Sequence, residues 1–134
     1  MTLRKNPIKT LKLKIWHEIS VYVRNRDKIC ITCGARKSFY ELDCGHYLPN
    51  TERGASAGGN KLWYDLRGYG AQCTKCNRFN SGEQAKFAEY LEKKYGHGIL
   101  QELRKLRNTY KKWTLEELKV VYEHFKNLNN PNAY

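Results

Sequence analysis

A chain of 134 residues with 25 Lys and Arg against 13 Asp and Glu carries a formal charge of +12, and its length suits one ordinary domain. So basic a balance points to a polyanionic partner, because each phosphate neutralised releases condensed counterions whatever the base sequence. No apolar run approaches the roughly 20 residues of a membrane span, and the basic N-terminus lacks the apolar core and cleavage site of a secretory signal, so the protein is expected to be soluble, intracellular and off the membrane.

Taken in order, the chain first shows helical periodicity. From about Ile8 to Arg26 the residues Leu11, Ile15, Ile19, Tyr22 and Val23 recur at three- and four-residue steps, which predicts a helix with one apolar stripe. Residues 28–49 predict a knuckle followed by short strands at Ile29–Thr32, Ser38–Leu42 and Tyr47–Leu48, with a Gly-assisted bend at Gly34–Lys37. Pro49 stops regular structure, and the small polar run Asn50–Asn60 reads as a loop. Leu62–Leu66 predicts a further extended segment. Downstream the chain reads as helical. A helix begins within Cys73–Asn80. A capping box at Ser81 and Gln84 starts another, which carries Phe87 and Leu91 and ends near Gly96. A third runs from about Ile99 to Tyr110, and a second capping box at Thr114 and Glu117 opens a last helix striped by Leu118, Val121, Tyr122, Phe125 and Leu128.

Five cysteines without a secretion signal favour metal over disulfides. Cys30 and Cys33 form one Cys-x-x-Cys pair, and Cys73 and Cys76 form another. Two such knuckles place four thiolates around one tetrahedral Zn²⁺ in a structural site. Cys44 remains as a small buried hydrophobe. Between and beside the knuckles lie Asp43, His46 and Asn77. An imidazole near neutral pKa can activate a water, and a carboxylate with a carbonyl oxygen suits Mg²⁺ or Mn²⁺. That trio is what phosphodiester hydrolysis needs: a base, a Lewis acid and fixed geometry between them. Arg24, Arg26, Lys61, Arg67 and Arg78 are candidate phosphate contacts; a merely solvated surface charge is the alternative for each.

The strings Cys30-x-x-Cys33, Gly45-His46-Tyr47-x-Pro49 and Cys73-x-x-Cys76-Asn77 resemble the zinc-bound ββα-metal, or HNH, nuclease finger. Tyr22–Asp27, Asp43–Tyr47, Gln72–Phe79 with Gly82, and Tyr95-Gly96 more narrowly resemble the phage lambda-type NinG (Rap) recombination endonucleases, a likeness running from about Trp16 to Leu128. The finger alone is similar to that of phage recombination endonuclease VII. The resemblance implies His46 as general base, Asn77 as a metal ligand, zinc on the four paired cysteines, and branched DNA as substrate. The setting would then be a phage-infected bacterial cytoplasm. Two positions depart from the pattern. Gly45 stands where many such fingers carry Asp or His, and strand alternation lets Asp43, on the same face, reach that metal. Gly68 stands where the pattern has a loop-fastening Asn.

The sequence therefore leads to an α+β fold over residues 1–134: an N-terminal helix (8–27), a zinc-stapled finger (28–80) and a helical C-terminal half (81–129). The expected activity is metal-dependent endonucleolytic cleavage of four-way or otherwise branched DNA, by a homodimer to which the stripe of the first or the last helix could supply the interface, an intramolecular core being the alternative for both stripes. A general or nicking HNH nuclease and a non-catalytic zinc-dependent DNA-binding module are the alternatives.

Overall fold

The computed structural model describes residues 6–48 and 59–131; Pro49 and most of the loop expected at Asn50–Asn60 lie outside them. Helix α1 spans Pro7–Asp27. Asn6 caps it by accepting from the backbone N–H groups of Ile8 and Lys9 at 3.1 and 3.2 Å, and Pro7 occupies the first turn, where no amide donor is missed. Lys28 ends it in a left-handed conformation, φ 64°, with its N–H on the Arg24 carbonyl. The predicted stripe is the buried face: Ile15, Ile19 and Val23 are inaccessible to solvent, and Leu11 and Tyr22 pack beside them.

Strand β1 is Leu42–His46 and β2 is Tyr69–Cys73. They pair antiparallel, with Asp43 opposite Gln72, Gly45 opposite Gly70 and His46 opposite Tyr69. Leu42, Cys44, Tyr69, Ala71 and Cys73 join α1 in one core. The other face carries Asp43, Gly45, Gly70 and Gln72. It meets Ile31 of the first knuckle and Phe87, since a Cβ on Gly70 would lie 2.9 Å from the former and 3.2 Å from the latter.

The strands do not fall where alternation placed them. Ile29–Thr32 makes only an isolated bridge, Ile29 to Arg36, and the knuckle attaches to β2 through Ile31 N–H to the Ala71 carbonyl at 2.9 Å. Phe39–Glu41 is a 3₁₀ turn, closed by Ser38 and Glu41, in place of the expected strand. Tyr47 continues the pairing by one bond, to the Gly68 carbonyl, and Leu62–Leu66 is turn rather than extended, leading into a 3₁₀ turn at Leu66–Gly68. Both real strands contain glycine and little that is β-branched. Burial between two layers, not intrinsic propensity, makes them strands.

After β2 the chain enters a five-residue π-turn, Lys75–Phe79, in which Asn80 N–H bonds the Lys75 carbonyl at 2.9 Å. Helices α2 (Gln84–Tyr95), α3 (Ile99–Arg107) and α4 (Leu115–Asn129) follow. The capping box expected at Ser81 is absent. Ser81, Gly82 and Glu83 all take positive φ, at 52°, 81° and 49°, because the chain must reverse between the π-turn and α2, and the helix starts only after that reversal. The box at Thr114 forms, with the Thr114 hydroxyl accepting from Glu117 N–H and the Glu117 carboxylate accepting from Thr114 N–H, each at 3.2 Å. Gly96 ends α2 as expected, its N–H on the Glu92 carbonyl and φ at 97°.

The stripes of α1 and α4 face each other: Leu118 and Phe125 are buried in the same core as Ile15, Ile19 and Val23, with Val121 and Tyr122 against it. Tyr47, Leu62, Phe87, Leu91, Ile99 and Leu103 form the second core on the other side of the sheet. The whole is a mixed helical fold around one small sheet. Among the described residues, no helix is long and apolar enough to cross a membrane.

Candidate functional site

The four paired cysteines converge. The Sγ atoms of Cys30, Cys33, Cys73 and Cys76 all lie within 4.8 Å of one another, and those of Cys33 and Cys73 are 3.8 Å apart. A tetrahedron with Zn–S bonds of about 2.3 Å has sulfurs about 3.8 Å apart, so the donor set fits one structural zinc ion. Gly34, at φ 77°, turns the first knuckle, and its N–H bonds the Cys30 carbonyl at 2.8 Å. Burial pushes the Cys30 thiol up. Donors from the Thr32 hydroxyl and from backbone N–H groups at Cys73, Cys33 and Thr32 outweigh it and bring the pKa to about 6. Burial pushes Cys76 up to about 12. The thiolate is the form that ligates metal. Cys44 stands apart, buried in the α1 core and pushed up to about 12 by that burial, the packing role expected of it.

The second knuckle delivers the residues that follow it to β1. Asn77 Nδ2 donates to Asp43 Oδ2 at 3.1 Å. The Arg78 guanidinium donates from Nε to the same oxygen and from Nη2 to Oδ1, both at 3.1 Å. Asp43 is therefore held by two consecutive residues of the π-turn, and the Arg78 side chain is 65% exposed beside it. His46 ends the same strand, half-buried, and burial lowers its pKa. The pleat directs Asp43 and Gly45 to one face and His46 to the other. None of the bonds that Asp43 accepts comes from His46. Asp43 and Asn77 are brought together; His46 stands at the strand end, beyond Asp43 and on the opposite face of the pleat. With the Asn77 amide turned from the orientation seen here, in which its nitrogen faces Asp43, these two side chains would offer oxygen donors of the kind Mg²⁺ takes alongside water.

The family described as Bacteriophage Lambda NinG protein matches residues 4–130. The chain belongs to the NinG family. Membership places it with proteins associated with phage recombination. Neither a curated protein nor a solved structure matches it.

Within this NinG-family chain the candidate phosphate contacts separate into two groups. Arg24 donates to the Ser20 and Phe39 carbonyls and lies 4.0 Å over the Phe39 ring. Arg26 bonds both oxygens of Asp27 and the Leu66 and Tyr69 carbonyls. Arg67 pairs with Asp65 and Glu102. These three guanidinium groups are partly buried and engaged by the protein's own carbonyls, carboxylates or rings. Lys61 is exposed, and Arg78 is exposed against Asp43.

Three functional positions escape a reading by motif. Asp27, its side chain 3% exposed, accepts from Ala71 N–H at 2.9 Å and so ties the end of α1 to β2; its only signal was its place in the string Tyr22–Asp27. Asn60, buried, accepts on Oδ1 from Leu62 and Trp63 N–H and on its carbonyl from Trp113 Nε1. It fastens the connection ahead of β2, the role that the resemblance assigns to position 68. Gln72 is fully buried on the Asp43 face, and its only signal in the sequence is its place at the head of the string Gln72–Phe79.

Proposed function

We propose that this protein is a zinc-stapled, metal-dependent DNA endonuclease of the HNH type, acting on branched recombination intermediates such as four-way junctions. The observation that carries the reading is the Asp43–Asn77 contact, made by the residue that directly follows the fourth cysteine of a zinc-competent cluster. Family membership and a charge of +12 agree with a DNA substrate.

In this reading Cys30, Cys33, Cys73 and Cys76 hold Zn²⁺ and thereby fix the π-turn against β1. Asp43 and Asn77 would hold Mg²⁺ or Mn²⁺, which supplies positive charge to the scissile phosphate and the departing 3′ oxygen. His46, kept neutral at physiological pH by its lowered pKa, takes the proton from an attacking water. The products are a 5′ phosphate and a 3′ hydroxyl. Arg78 presents its cation to the phosphate from beside Asp43. Two symmetric cuts across a junction favour a twofold homodimer, whose interface lies outside the α1 and α4 stripes, since these are buried against each other.

A specific observation favours a second reading. Asp43 is already neutralised by Arg78 and bonded by Asn77, which suits a binding module whose carboxylate only buttresses the turn. Cleavage of end-labelled four-way junction, nicked duplex and linear duplex with Mg²⁺ or Mn²⁺, beside folded His46→Ala, decides between them. Junction-confined cutting that disappears in the variant supports the nuclease. Equal cutting of linear duplex makes it a general nuclease, and salt-sensitive binding with no cutting under any divalent ion leaves the binding module.

A further inference from the structure

The Gln72 side chain joins parts of the molecule that the proposed chemistry needs held together. Its Nε2 donates to the Gly82 carbonyl at 2.8 Å and to the Thr32 hydroxyl at 3.2 Å. Thr32 lies between the two cysteines of the first knuckle, with its Oγ1 3.3 Å from Cys30 Sγ. Gly82 follows the second knuckle, and its N–H bonds the Cys76 carbonyl at 2.8 Å. One buried amide thus reaches both halves of the cysteine cluster from a position adjacent to Cys73.

The other end of the amide explains a glycine. Because the Gly82 carbonyl can only accept, the nitrogen must face it and Oε1 must face away. Oε1 is buried, with no hydrogen-bond donor to it among the described residues, and it lies 2.1 Å from where a Cβ on residue 45 would stand; Gln72 Cδ would be at 2.9 Å. Gly45 does not have the positive φ that would call for glycine. Its missing side chain is instead the space that Gln72 fills, directly before His46. Any larger residue at 45 would expel the amide, and expulsion would break its bonds to Gly82 and Thr32 together.

We propose that Gln72 is a positioning residue: seated in the space left by Gly45, it locks the two cysteine knuckles, and with them Asn77, against the strand carrying Asp43 and His46. The assignment rests on the zinc reading above. Partners that orient metal ligands without touching the metal typically change metal affinity by about 10- to 100-fold when removed.

The test is zinc release to a chromophoric chelator from the full-length protein, with the Co²⁺-substituted form providing thiolate-to-metal and d–d absorption bands. Gln72→Ala is expected to weaken zinc affinity by about 10- to 100-fold, read as readier transfer of zinc to the chelator, and to alter the Co²⁺ bands. Gly45→Ala is expected to do the same with Gln72 present and to add little in Gln72→Ala, where its Cβ has room. Wild-type release by Gln72→Ala, or additive effects of the two substitutions, overturns the assignment. Should Gln72→Ala not fold, Thr32→Val keeps the volume and removes one acceptor. Wild-type release and wild-type Co²⁺ bands in both Thr32→Val and Gly45→Ala then overturn it. A wild-type protein that gives no thiolate–Co²⁺ bands overturns the zinc reading itself, and is distinguished from variants that bind and release metal as the wild type does.

Discussion

On the proposed reading, His46 is the residue through which pH acts on cleavage. Its folded-state pKa lies below the ordinary histidine value because its half-buried ring is partly desolvated, so the neutral imidazole persists to lower pH than it would on the surface. The acid limb of a cleavage pH profile should accordingly sit below about pH 6.5, the unperturbed value. The same shift bears on stability. The unfolded chain binds the His46 proton more readily than the folded one, so this contribution is fully present above the unfolded pKa. It declines as pH falls from there through the folded pKa. Denaturant titrations of wild type and His46→Ala between pH 5 and 8 check this: the difference between them should change only on the acid side. In cleavage, His46→Ala should lower the rate by about 10²- to 10⁴-fold, the range of a removed general base. Arg78 supplies the contrasting case. Its guanidinium is mostly exposed, so Arg78→Ala should change stability by less than about 1 kcal/mol while weakening DNA binding.

At the scale of elements, the link between α1 and β2 is the sharper stability test. Asp27 accepts a β2 backbone amide and holds Arg26, which in turn reaches the Leu66 and Tyr69 carbonyls. Removing a buried partner of this kind leaves a desolvated cation and an unsatisfied N–H, so Asp27→Ala should cost about 3 kcal/mol, read as a fall in the denaturation midpoint. Thr114→Ala at the start of α4 should cost only about 1 kcal/mol, the loss of a helix cap. These two sites also show what a sequence makes legible. The Thr114 cap, the α1 stripe and the cysteine knuckles are local patterns with fixed spacing, and each formed where the spacing put it. The strands were not local. Leu42–His46 and Tyr69–Cys73 acquire their conformation from a partner met across an intervening connection and from burial on both faces, so neither alternation nor β-branched content announced them. Asp43 and Asn77 were readable because both adjoin a motif. Their bonds with each other and with Arg78, and the role of Gln72 opposite Asp43, depend on the strand register and were not.

For the whole molecule, on the proposed reading, not every cation behind the net charge of +12 is equally open to DNA. Arg24, Arg26 and Arg67 are partly buried against the protein's own carbonyls or carboxylates, whereas Lys61 is exposed and Arg78, though paired with Asp43, remains mostly exposed. Each phosphate that a variant no longer neutralises should reduce the slope of log K against log salt by about 0.9 on duplex DNA. Arg78→Ala and Lys61→Ala are therefore expected to flatten the salt dependence by about one phosphate each with the fold intact. Arg26→Ala should behave oppositely: it leaves Asp27 buried without its cation, lowers stability by about 2–4 kcal/mol, and keeps the wild-type slope in the fraction that remains folded. Fluorescence anisotropy across a salt series, at a temperature where Arg26→Ala is folded, distinguishes the two classes. A flattened slope in Arg26→Ala would mean that its bonds to the Leu66 and Tyr69 carbonyls give way to phosphate on binding, and that the end of α1 belongs to the DNA track rather than to the frame behind it.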